Sequence, residues 1–225
     1  MEIKNMGALE RHLVESDRTL VLNHSIDFDL GWWNRGNKLQ TVGGPLEVRG
    51  QQSGATHISR GELFAPEGGT GERKDILQRL WLSMAWGTGN RHRLCNKRIK
   101  SVGTLDSQAG DLLALAADQA RVDPVGAYRT LMPHGQTAIK YLGPAFITKF
   151  TYFSGGPGAD NKSLILDSLV ASQLGLGKAN WSLNVYEEYI NFMHQQASEL
   201  SVTVGREIHA DEIEYFLFDP ERNRS

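Results

Sequence analysis

A proline cannot continue a helix that runs into it, and a glycine can take backbone angles closed to other residues. Where the two meet between apolar-striped segments, the chain has to turn. Residues 136–153, QTAIKYLGPAFITKFTYF, have that arrangement at Leu142-Gly143-Pro144. The pattern predicts a helix ending at Tyr141, a tight turn with Gly143 at positive φ, and a second helix opened by Pro144. Phe146, Ile147, Phe150 and Phe153 would form the apolar side of that second helix.

The rest of the chain divides by texture near residue 72. Before it, apolar residues are sparse, and glycines crowd 31–71, including Gly43-Gly44, Gly68-Gly69 and Gly71. After a first helix over about 5–16, this part is expected to be loops with short elements between them. From 72 onward helical periodicity dominates. Ile76, Leu77, Leu80 and Met84 make the stripe of a helix that stops at Gly87 and Gly89. Leu113, Ala116, Ala117 and Ala120 repeat the spacing, with Asp106 or Ser107 as N-cap. Asp123-Pro124 is a cap followed by proline at the first helical position, opening a short helix to about Leu131. Tyr186, Tyr189, Ile190, Met193, Ala197 and Leu200 mark a long amphipathic helix, and 210–218 a final one. The β-branched stretches 19–22 and 201–204 suggest weak strands, neither with a tightly joined partner. The expected fold class is mainly α, with 1–71 a loop-rich N-terminal portion packed on a helical core over 72–225.

Composition removes several function classes. The 225 residues hold 24 Lys+Arg against 26 Asp+Glu, so a uniformly basic nucleic-acid coat is excluded, while a local basic patch is not. The single Cys95 cannot form an intramolecular disulfide, a cysteine zinc finger or a four-cysteine iron–sulfur site. The seven histidines are scattered and no His-Glu-x-x-His occurs, so neither a metal nor another cofactor is expected. Gly68-Gly69-Thr70-Gly71-Glu72-Arg73-Lys74 lacks the spacing of a phosphate loop, and no Gly-x-Ser-x-Gly elbow exists. No apolar run approaches the roughly 20 residues needed to span a bilayer. Charges interrupt the first 22 residues, so a secretory leader is not expected and a cytoplasmic monomer is.

Past the hairpin, a glycine-rich loop at 154–161 leads into Ser163-Leu164-Ile165-Leu166-Asp167-Ser168-Leu169-Val170. An apolar run thus delivers one carboxylate to the start of a helix over 168–174, where an aspartate is also an ordinary N-cap. Hairpin, glycine-containing loop, aliphatic approach, aspartate and helix resemble the signature of the helix-hairpin-helix DNA glycosylase superfamily. Residues 210–218 look like the last helix of its 8-oxoguanine branch. The resemblance covers about 72–218. It extends to bacterial proteins described as having an 8-oxoguanine DNA glycosylase (OGG) fold, some linked to defence against phages carrying modified DNA. The pattern is broken at Tyr141, where the family has a glycine two residues before the second glycine.

The resemblance implies a DNA glycosylase that flips a modified or damaged base from double-stranded DNA and cleaves its N-glycosidic bond. Such an enzyme serves base-excision repair or antiphage defence. It implies that Asp167 stabilises positive charge on the sugar, and that the turn at Gly143 offers backbone N–H groups to a phosphate. The lysine nucleophile of bifunctional members falls two residues after that glycine, and here Ala145 stands there, which puts abasic-lyase activity in doubt. Lys149, one helical turn further on the same face, either replaces the nucleophile, contacts the extruded base, or lies at the rim. Asp167 and Lys149 are therefore expected to converge on one pocket with aromatic walls. Lys140 would face phosphate or solvent. Arg91, Arg93, Lys97, Arg98 and Lys100 concentrate positive charge that suits a DNA backbone, or else form a solvated helix face. Trp32 and Trp33 are candidates for stacking on an extruded base or for core anchors, and Trp81 and Trp86 are read as core. The alternative to an enzyme is a non-catalytic helix-hairpin-helix module that binds or senses DNA. Oxidised guanine and modified phage cytosine are both open as the base.

Overall fold

The computed structural model describes residues 1–64, 72–158 and 160–218. The Gly68-Gly69-Thr70-Gly71 stretch lies outside the described residues. The N-terminal part opens with α1 (Met6–Glu15), whose cap Asn5 accepts a hydrogen bond from the Ala8 amide, and α2 (Arg18–Leu22). The helical state of 19–22 corrects the strand expectation. Asp17 accepts from the Thr19 amide, and this cap outweighs the β-branched character of Thr19 and Val21. β1 (Ser25–Asp29) pairs antiparallel with β2 (Ala55–Ser59), Ser25 opposite Ser59 and Asp29 opposite Ala55. Two short helices flank that ribbon, α3 (Leu30–Asn34) after the first strand and α4 (Arg60–Leu63) after the second.

The remaining helices follow the apolar periodicity. α5 (Arg73–Thr88) ends at Gly89, which takes φ 52°. α6 (Cys95–Leu105) and α7 (Ser107–Ala120) meet at Asp106, whose φ is 44° and whose carboxylate pairs with Arg73 instead of capping α7. α8 (Pro124–Leu131) starts on the Asp123 cap and the expected proline. Next come α9 (Pro144–Ser154), α10 (Ser168–Gln173), α11 (Leu183–Val204) and α12 (Ala210–Phe218). Residues 201–204, expected as a weak strand, are the last turn of α11. The stripe that buries Ala197 and Leu200 carries the helix to Gly205 at φ 78°.

α5 lies centrally, against α9, α7 and β1, while α8 packs between α7, α9 and α11. One hydrophobic cluster runs through the molecule. Leu9, Leu13, Phe28 and Trp33 from the N-terminal part share it with Trp81, Phe150, Phe153, Tyr186 and Phe216. Trp81 and Trp86 are core residues, as expected from the sequence.

The hairpin turns, but differently from the expectation. Residues 136–141 are not helical; a turn there has the Leu142 amide donating to Ile139 O at 3.0 Å. Gly143 has φ −73° and ψ 171°, and Tyr141 carries the positive φ, at 68°. The cause is Pro144: its ring crowds the preceding residue out of the helical region, so Gly143 is extended and the reversal moves two residues upstream. The left-handed angle therefore falls where the family pattern has its first glycine. The arms of the hairpin are α8 and α9, which pack on each other.

Candidate active site

Two neighbouring segments build the site. α9 presents Lys149, and the buried run Leu164-Ile165-Leu166 leads to Asp167. That run is extended yet belongs to no sheet, so its carbonyls need other donors. Tyr186 Oη donates to Leu164 O at 3.1 Å and Tyr189 Oη to Ile165 O at 2.8 Å. Thr148 completes the set: Oγ1 donates to Leu166 O and accepts from the Leu166 amide, both at 3.1 Å. This two-way clasp joins the residue before Lys149 to the residue before Asp167. Burial pushes the phenols of Tyr186 and Tyr189 up in pKa, which keeps them as donors.

Asp167 caps α10, with Oδ1 accepting from the amides of Leu169 at 3.0 Å and Val170 at 3.2 Å. Its other oxygen, Oδ2, accepts from Lys149 Nζ at 3.0 Å. The cap role and the expected convergence with Lys149 are thus both present. Burial raises the carboxyl pKa, but the Lys149 charge, its hydrogen bond and the two amides together hold it below the ordinary carboxylate value. The lysine stem runs through a notch at Gly87 of α5. A Cβ on Gly87 would stand 2.7 Å from Lys149 Cδ and 3.1 Å from Cε.

The pair faces a cleft of about 400 Å³ that Tyr141, Gly143, Ala145, Phe146, Lys178 and Trp181 also line. Its walls are partly aromatic, as expected. Arg98 contributes from α6, but its role differs from a DNA contact. It is 7% exposed, its Nε donates to Tyr141 O at 2.8 Å and its Nη1 to Arg93 O at 3.0 Å, and its guanidinium lies 4.1 Å from the Phe146 ring centre. Burial and these bonds make it a brace for the hairpin, correcting its assignment to the DNA-contacting set. Arg91, Arg93, Lys97 and Lys140 are exposed.

Neither tryptophan of the N-terminal part offers a free face to a base. Trp33 is fully buried. Trp32 stacks on His92 with centroids 3.8 Å apart, and Lys38 Nζ lies 3.3 Å from the same ring centre. Two groups so close to one centroid must occupy opposite faces, so both are covered. Adjacent residues escaped the conflict of pointing inward because α3 turns Trp33 into the core and leaves Trp32 at its edge.

Gly87, expected as a helix stop, lies inside α5 as the notch for Lys149, and the sequence did not single out Tyr141 as a pocket wall, Lys178 or Trp181. For Lys178 and Trp181 a signal existed in Gly175-Leu176-Gly177-Lys178, a glycine-bracketed loop with a cation and a following tryptophan. That wall is fixed by Trp181 Nε1 donating to Gly177 O at 2.6 Å and by Tyr128 Oη donating to Trp181 O at 2.6 Å. Among the described residues, no group of three or more His, Cys, Asp or Glu is placed to hold a metal ion, and no helix is long and apolar enough to cross a membrane.

A family model described as "Putative 8-oxoguanine DNA glycosylase OGG-like protein" matches residues 19–218. No curated protein and no solved structure matches the chain.

Proposed function

The chain belongs to the OGG-like 8-oxoguanine DNA glycosylase family, and from that premise we propose that it extrudes a modified base from DNA and hydrolyses its N-glycosidic bond through Asp167. The observation that carries this reading is the Lys149–Asp167 pair, Nζ to Oδ2 3.0 Å, on the wall of a cleft next to the hairpin turn. As the C1′–N bond breaks, its electron pair leaves with the base and positive charge grows on the sugar. An ionised carboxylate opposes that charge, and Lys149 helps to keep Asp167 ionised. Water then adds to C1′, and the proton it sheds goes to the departing base. Asp167 Oδ2 has a lone pair beyond the one engaged by Lys149, enough to orient that water.

Lys149 acts here as a pocket residue. Its contact with Asp167 holds the carboxylate in place, and Ala145 occupies the position of the usual nucleophile. Gly143 and Lys140, with exposed Arg91, Arg93 and Lys97, would take the DNA backbone. Nothing in the fold around Gly143 needs a missing Cβ, since one placed there would meet no atom within 4 Å. Its openness suits close approach of a phosphate to the backbone.

The test is Asp167→Asn, which preserves a capping side chain. Base release from duplexes carrying oxidised guanine or modified cytosine is expected to fall by about 10²–10³-fold with DNA binding retained. Borohydride should trap no covalent adduct with the native protein. An unchanged release rate in the variant would overturn the role of Asp167. A borohydride adduct abolished by Lys149→Ala would make Lys149 a nucleophile.

A further inference from the structure

A second hollow, of about 480 Å³, meets the Asp167 cleft at Tyr141 of the hairpin turn. Lys97, Lys100, Lys140, Leu105 and Ala138 line it, and Tyr141 lines both it and the Asp167 cleft. Lys97, Lys100 and Lys140 form no ion pair among the described residues. Three unpaired ammonium groups around one concave surface call for an anion.

Tyr141 is the unusual member. It is a bulky residue held at φ 68°, a region that glycine enters freely and a side chain enters at a cost. The residue is nevertheless 37% exposed, with Lys97 Nζ and Lys140 Nζ over its ring at 5.4 and 5.3 Å from the centre. Arg98, itself buried, pins the residue by its carbonyl oxygen. An exposed aromatic maintained in a costly conformation, braced from behind and flanked by cations, is built for contact with something flat and negatively charged.

We propose that this hollow is a nucleotide subsite, in which a base of the DNA strand flanking the extruded nucleotide stacks on Tyr141 while its phosphate is held by Lys97, Lys100 and Lys140. The shared residue carries the assignment to the adjoining nucleotide, because Tyr141 lines both cavities and consecutive nucleotides are joined by one phosphodiester. The subsite rests on the glycosylase reading for the occupant of the first cavity. It gives the hairpin an aromatic platform in the place left empty by the covered Trp32 and the buried Trp33.

The experiment compares native protein with Tyr141→Gly, Tyr141→Phe and Lys100→Gln, using short fluorescein-labelled DNA with a tetrahydrofuran abasic analogue, as duplex and as single strand. Tyr141→Gly is expected to bind about tenfold or more weakly, the range of a lost base–aromatic stack. It should melt no lower than native protein, because glycine relaxes the left-handed angle. Tyr141→Phe should bind like the native chain, and Lys100→Gln should lower the salt slope of binding by about one. Native affinity in Tyr141→Gly, or a loss as large in Tyr141→Phe, overturns the stacking platform. A loss confined to the duplex overturns the same-strand assignment. If native protein releases a base while Tyr141→Gly binds normally, this inference falls and the glycosylase reading stands. If native protein binds neither DNA, both fall.

Discussion

Two buried ion pairs in this molecule look alike as charges and differ in everything else. Arg60 and Glu214 are both fully sealed, joined by bonds of 2.7 and 3.1 Å, with the guanidinium ringed by Trp86, Tyr152 and Tyr215. They tie α4 to α12, elements far apart in sequence. Lys149 and Asp167 make a single contact, retain 6% and 13% side-chain exposure, and border a cleft. Glu214 keeps spare lone pairs on both oxygens but is sealed from any ligand, whereas the spare lone pair of Asp167 Oδ2 borders a cleft. Burial of a charged pair is therefore not itself the mark of a site. The mark is a pair whose spare acceptor opens onto space.

Stability separates the two most sharply. Arg60→Met should cost about 3–5 kcal/mol in denaturant unfolding, because Glu214 is left buried without a partner. Lys149→Met should cost about 1–2 kcal/mol, since Asp167 keeps its two amide donors and reaches water through the cleft. Equal losses would mean that the second pair is as structural as the first.

Gly87→Ala attacks the open pair without touching either charge. The new methyl would displace Lys149 from its notch, a shift that can lower turnover by up to about 10²-fold, while the melting temperature holds because the helix gains alanine in place of glycine. A fall in melting temperature with unchanged turnover would show that the notch serves packing alone.

The smallest effect is in acid. The folded-state pKa of Asp167 lies below its ordinary value of 3.8, so the stabilisation from its ionised form is complete above the unfolded value and disappears as pH falls through the lower folded one. The stability difference between native protein and Asp167→Asn should accordingly be flat at neutral pH and shrink only below the ordinary carboxylate range. A difference that already declines near pH 6 would point to another titrating group.

The parts of this fold that repeat every three to four residues were legible from sequence. α5, α7 and α11 are long enough that burial of an apolar stripe decides their structure, whatever the local propensities. The β-ribbon was not, because each strand buries one strong core residue, Phe28 or Ile58, and about 25 residues of loop and helix separate them, more than the tight hairpins of the strand rules allow. The contact between Lys149 and Asp167 was legible through the family resemblance, with one helical turn placing Lys149 on the face of Ala145. The pocket walls were not. Gly87, Tyr141 and Trp181 reach the cleft from three separate elements, and no local pattern encodes where such segments meet. Arg98 was misread for the same reason: in sequence it is one more cation in a basic run, and only the hairpin packed over it makes it a brace.

The Thr148–Leu166 clasp has a consequence for how such a pocket can change over time. It bridges the two ends of the loop after α9, Thr148 before it and Leu166 beyond it, so the spacing of the two charges is fixed across that loop. Around Gly156–Gly158 the chain is held by its own bonds, from Asn161 to Gly156 O and from Arg18 to Pro157 O, which are separate from the clasp. The course of that loop and the alignment of the two charges thereby rest on different residues, and selection can remodel the first while the second stays constant.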